Sequence, residues 1–176
     1  MDRTESALVR SLTAEEAVQR LPALCELLID AVESGASIGF LPPLSVAEAS
    51  EYWWKVVEAL RGGSRMLLVA ERDGLMDGAV QLDRETRANG RHRAELMKLF
   101  VHRRARRLGL ATVLIAEAED LARAAGISLL IADTRQGGEA ERLIGKLGWV
   151  RYGEVPAYAR SASGELHTTV FFYRML

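Results

Sequence analysis

An α/β (α+β) fold, built on a mixed, mostly antiparallel sheet of six to seven strands with helices on both faces, is predicted by three observations. Consecutive strand-like runs in the middle of the chain are joined at Asp73-Gly74 and Asn89-Gly90, and such reversals give antiparallel pairs. A strand–helix–strand unit then occupies residues 94–132, which demands a parallel pair covered by the helix. A second helix and two closing strands complete the order βααβββαβαββ.

Each element has a local cause. Residues 7–12 form the first strand, and Thr13 caps a helix with Glu15 and Glu16 in its favourable first turn. Pro22 kinks or restarts it, the stripe Leu24, Leu27, Leu28, Ala31 and Val32 carries it on to Ser34, and Gly35 ends it. Residues 35–43 form a loop with apolar content. Ser45 caps the next helix to about Leu60, on which the adjacent Trp53 and Trp54 cannot share a face. Gly62-Gly63 opens the strand-rich half, with strands at 66–71, 77–83 and 94–101. Leu110, Val113, Leu114, Ala118, Leu121, Ala122 and Ala125 recur at helical spacing, with Glu117, Glu119, Asp120 and Arg123 largely opposite, before Gly126 stops the helix. A buried strand at 129–132, a helix at 138–147 and strands at 150–159 and 166–176 follow.

The 176 residues fit one domain, 1–176, with no 20- to 50-residue repeat. Cys25 is the only cysteine, which excludes an intramolecular disulfide and a cysteine-based metal cluster. Its apolar neighbours predict an inert buried thiol. His92, His102 and His167 lack metal-ligand spacing, so no metal is expected. The opening Met1-Asp2-Arg3-Thr4-Glu5 does not resemble a secretory signal and no run approaches a membrane span; a cytoplasmic protein without a membrane partner is the expectation.

The most informative stretch is the turn between the strand at 94–101 and its helix, Arg103-Arg104-Ala105-Arg106-Arg107-Leu108-Gly109-Leu110-Ala111. Helix N-termini carry unpaired N–H groups and about half a positive charge, which suit a pyrophosphate. Gly109 and the small Ala111 permit close approach of backbone, and Arg106 and Arg107 add charge-assisted hydrogen bonds. The same arginines also read as a nucleic-acid patch or a solvated turn. A net charge of −1, with acids spread through the same half, favours phosphate over nucleic acid as the partner.

With Arg106, Gly109 and Ala111 in a Q/RxxGxG/A pattern that opens a helix after the fourth strand, the chain resembles the GCN5-related N-acetyltransferase (GNAT) superfamily over nearly its full length. Residues 35–40, 94–99 and 153–158 resemble the tabtoxin-resistance type of small-molecule acetyltransferase. The resemblance implies acetyl-CoA as cofactor. Its pantetheine arm would lie along the backbone of Leu99, Phe100 and Val101 as an added strand, with Arg106, Arg107, Leu108, Gly109, Leu110, Ala111 and Thr112 around the pyrophosphate and Asp133 and Thr134 bordering the acetyl site.

Attack of a neutral amine on a thioester needs a proton acceptor and stabilisation of the departing thiolate. Glu95 and Asp133 are the candidate bases. Their competing readings are an ion pair with Arg93 or Lys98 for Glu95, and a turn cap for Asp133. Many family members carry an acid Tyr on the helix after the fifth strand; alignment on Gly148-Trp149 puts Ile144 there, so Tyr158 is the candidate substitute. Arg107 stands where the family often has Gly. The expected reaction is acetylation of a primary amine on a small molecule (an amino-acid-like toxin, antibiotic or metabolite), with Ser37, Phe40 and Trp53 lining the acceptor cleft in a monomer or homodimer. The alternatives are acetylation of a protein N-terminus or lysine, and a CoA-binding sensor with little turnover.

Overall fold

Hydrophobic residues on both sides of the central strands let one sheet support two cores. The computed structural model describes residues 7–176, so the reading of the first residues as no secretory signal lies outside the described part. The elements are β1 (Leu8–Ser11), α1 (Ala14–Gln19), α2 (Leu21–Glu33), α3 (Val46–Arg61), β2 (Arg65–Arg72), β3 (Leu75–Arg84), β4 (Arg93–Val101), α4 (Leu110–Ala124), β5 (Leu129–Arg135), α5 (Glu139–Lys146), β6 (Val150–Arg160) and β7 (Leu166–Met175). The sheet order is β1-β2-β3-β4-β5-β7-β6. Only β4 and β5 are parallel.

Leu67, Val69, Met76, Ala79 and Phe100 face a core with α1, α2 and α3. On the opposite face Leu68, Ala70, Val80, Leu82, Leu96, Leu130 and Phe172 meet α4 and α5. Thr13 and Ser45 each build a capping box, with Glu16 and Glu48 returning the bond. Pro22 sits in the first turn of α2 and so restarts the helix, at a position where an amide hydrogen would be unpaired anyway.

Three expectations are corrected. Trp53 does not line a cleft: it is completely buried, and its Nε1–H donates to the Leu24 carbonyl at 2.8 Å, while Trp54 is the exposed ring. Glu119 is buried rather than solvated, because its carboxylate accepts the Trp149 Nε1–H at 2.9 Å; Val113, assigned to the apolar stripe, is 42% exposed. β5 extends to Arg135 because β7 pairs with it throughout, which puts Asp133 inside a strand and not on a turn.

Trp53→Ala should lose about 3–5 kcal/mol of stability, read from the urea midpoint, whereas Trp54→Ala should change it by less than about 0.5 kcal/mol.

Candidate active site

The site begins where the one parallel pair ends. β4 and β5 pair only at Arg93↔Leu129, Ala94↔Leu130 and Glu95↔Ile131, and then diverge. Each stays attached to its other neighbour: β4 to β3 at Gln81↔Met97, Ala79↔Phe100 and Gly78↔Val101, and β5 to β7 up to Arg135↔Thr169. One more residue is spent on β4 than on β3 between Met97 and Phe100, and Lys98 takes a positive φ of 53° there. Such a bulge bends its strand and re-aims side chains. Leu99, Phe100 and Val101 therefore present a strand edge to an open wedge.

The basic turn leads from β4 into α4. Arg103 donates from its backbone N–H to Asp30 Oδ2 at 2.9 Å and from Nε to Oδ1. Arg104 Nε donates to the fully buried Asp77 at 2.7 Å and its Nη2 to the Met76 carbonyl at 2.7 Å. These two arginines hold the turn in place. Arg106, Arg107 and Leu108 stay exposed. Gly109 has φ 79°, and a Cβ added there would meet nothing within 4 Å, so the space in front of the helix is open. The N–H groups of Gly109, Leu110 and Ala111 have no intrahelical acceptor. A diphosphate fits this cradle. Arg107, at φ 64°, carries the strain expected if the turn needs a left-handed residue, about 1–3 kcal/mol held by the fold itself.

Strand register places the carboxylates on one face. Asp83 lies opposite Glu95, Glu95 opposite Ile131, and Asp133 two residues further along β5 on the same side. Burial pushes the Glu95 carboxyl above the usual range; Asp133 and Asp83 add to the push, and Lys98 and Arg65 oppose it. Asp133 is open to solvent, yet the protein around it removes enough water to raise its carboxyl too, against Lys98. Burial lowers the Lys98 ammonium, which the two carboxylates partly counter. Lys98 Nζ donates to the Ile38 carbonyl and lies 5.7 Å above the Phe40 ring, tying the 35–43 loop to the wedge. Phe40 meets Tyr52 edge-on at 5.2 Å, whereas Ser37 is exposed on the same loop. Thr134 points to the α4 side, opposite Asp133.

The acetyltransferase (GNAT) family model matches residues 22–149. The chain belongs to the GNAT acetyltransferase family. An uncharacterized N-acetyltransferase of Azospirillum brasilense, from the hisH-hisA intergenic region, is 36% identical over 115 residues, covering 64% of this chain and 67% of its own. The ribosomal-protein-alanine N-acetyltransferase of Brucella melitensis is 27% identical with a TM-score of 0.79, covering 96% of this chain and 99% of that one. The yncA protein of Salmonella typhimurium, solved with its cofactor acetyl-CoA, has the same fold at 20% identity and a TM-score of 0.79, covering 98% and 95%. This GNAT protein is an N-acetyltransferase that uses acetyl-CoA.

The position aligned with the family tyrosine and its candidate substitute lie on opposite faces of the sheet. Ile144 is 3% exposed within the α4-side core, so a tyrosine there would have to enter packed interior. Tyr158 is 56% exposed on β6 and packs edge-on to Phe171 at 5.5 Å, while Phe171 is the strand partner of Asp133. That places its strand about 10 Å from Asp133, two inter-strand spacings. Sequence reasoning missed Lys98, Arg65 and Asp83 as members of the site. The signal was present in Lys98 interrupting an apolar strand and in polar residues at inward positions of paired strands.

Gly109→Glu should weaken acetyl-CoA binding at least about 100-fold in calorimetry with the fold retained, since it places a carboxylate where the phosphates lie. Ile144→Tyr should cost about 1–3 kcal/mol in the urea midpoint through overpacking instead of raising turnover.

Proposed function

We propose that this acetyltransferase acetylates the primary amine of a small molecule (an amino-acid-like toxin, an antibiotic or a metabolite), with Glu95 and Asp133 as the groups that receive its proton. The observation that carries this reading is the pair itself: two carboxylates over the wedge, both raised toward neutrality by burial, neither accepting a side-chain hydrogen bond among the described residues. A base works best when its pKa lies near the working pH. The likeness of residues 35–40, 94–99 and 153–158 to tabtoxin-resistance-type enzymes supports a small acceptor.

Bound acetyl-CoA supplies an acyl group already activated as a thioester. Arg106, Arg107 and the N–H groups from Leu108 to Ala111, with Thr112 beside them, would hold the diphosphate, and the edge of Leu99, Phe100 and Val101 would orient the arm by strand-like hydrogen bonds. Thr134 lines the wedge on the α4 side. Glu95 or Asp133, directly or through one water, takes the amine proton. A thiolate of pKa near ~8.5 leaves without strong help, and Ile144, buried in the α4-side core, is not where an acid would act. Tyr158 is the candidate donor for that step.

The Brucella melitensis neighbour, named for ribosomal-protein alanine, favours a second reading in which the acceptor is a protein N-terminus. CoA thiol release with small amines, compared with an alanine-started peptide, separates the two. Thermal stabilisation by acetyl-CoA without thiol release from either would identify a sensor.

Saturation with acetyl-CoA at a hundredfold over Kd should add about 2.7 kcal/mol, a melting shift on the order of 5–10 °C. Glu95→Gln should lower kcat by roughly 10² to 10⁴ with acetyl-CoA affinity retained. In the wild type kcat/KM should fall on acidification through a pKa above the ordinary glutamate range, because a base works only when ionised. Lys98→Met removes the cation that favours ionisation and should move that limb to higher pH.

A further inference from the structure

The acceptor-binding half of the sheet face has two properties that together restrict what it can bind. The first is its balance of committed charge. Arg65 donates to Asp83 at 3.1 Å and to Gln81 at 2.6 Å, and Lys98 is spent on the Ile38 carbonyl. Asp83 is thereby neutralised, while Glu95 and Asp133 accept no side-chain hydrogen bond among the described residues. Glu95 and Asp133 are thus the free groups an ammonium would meet at the wedge, with Lys98 and, two residues beyond Asp133 on the same strand face, Arg135 as the cations of that face. The second property is an aromatic surface that starts at those carboxylates. Tyr173 is the strand partner of Ile131 and Phe171 of Asp133. Tyr152 lies 6.1 Å from both rings, and Tyr158 closes the row 5.5 Å from Phe171. Tyr152 and Tyr158 are 57% and 56% exposed, as α2 and α3 cover the neighbouring strands β2, β3 and β4.

We infer that the acceptor is a monoamine with a flat apolar body, its ammonium drawn to Glu95 and Asp133 and its body lying on Tyr152, Tyr158, Phe171 and Tyr173. Rings beside a cation and beside a planar apolar group both contribute attraction, and here one ligand gains both. The inference rests on the small-molecule reading above and narrows it to acceptors with a flat apolar body.

The test is calorimetric binding of 2-phenylethylamine and n-butylamine to the full chain saturated with CoA, with thiol release from acetyl-CoA measured separately. 2-Phenylethylamine should bind at least about tenfold more tightly than n-butylamine. Tyr158→Ala should reduce its advantage over n-butylamine to less than about threefold, and Tyr158→Phe should preserve it, because the ring and not the hydroxyl does the binding. Equal or tighter binding of n-butylamine, an advantage unchanged in Tyr158→Ala, or no binding of either amine, as when a second copy of the chain covers the rings, overturns the inference. The expected ranking without thiol release would sink the acetyl-transfer reading alone; thiol release with the wrong ranking would sink only the acceptor class.

Discussion

The wedge between β4 and β5 depends on one constraint: a parallel pair that is allowed only three rungs. β3 holds one strand and β7 the other, the bulge at Lys98 bends β4, and the two backbones separate after Glu95 and Ile131. Backbone N–H and C=O groups facing such a gap need partners, and leaving them desolvated and unpaired costs about 1–3 kcal/mol each. A ligand with amide groups of its own supplies them. The turn that follows β4 delivers the chain to the start of α4, so the geometry that opens the wedge also sets a phosphate cradle at its mouth.

The charges around the wedge divide into those that hold it and those that act in it. Asp30 and Asp77 spend their oxygens on Arg103 and Arg104, fixing the turn to α2 and β3. Arg65, Gln81 and Tyr52 form a chain of hydrogen bonds beneath the acceptor side, with Gln81 Nε2 donating to the tyrosine oxygen at 2.9 Å. Glu95 and Asp133 are left without such partners, so burial raises both carboxyls, and that carries a cost. With folded pKa values raised above the unfolded ones, they reduce stability as pH rises through that interval, because the folded state then holds protons the unfolded chain has lost. The two cores on either face of the sheet offset that cost.

Most of the architecture was legible because its signals are local. Thr13, Pro22, Gly35 and Ser45 punctuate the first half as their chemistry requires, and the periodicity of α4 and the Asp73-Gly74 reversal fix the second. The turn at 106–111 was legible as the start of α4 for the same reason: a helix N-terminus needs only its own turn. The failures all involve partners distant in sequence. Trp53 and Trp54 fall on different faces of α3, and which of them is core is settled by packing on α2, where Leu24 offers its carbonyl to Trp53. Glu119 looks solvated until Trp149 arrives from thirty residues away. Ile144 stands at an aligned position without facing the reaction, since packing of α5 against the α4-side core decides where it points. Lys98 joined the site through a bulge that only the register with β3 reveals.

The central claim is that the wedge of β4 and the turn after it together receive the acyl donor. Hydrogen–deuterium exchange of the full chain with and without acetyl-CoA measures this directly. The account predicts slowed exchange in peptides spanning residues 97–112, covering the β4 edge and the start of α4, with little change in β1 or β2. Slowing confined to the turn, or none in either segment, would contradict it.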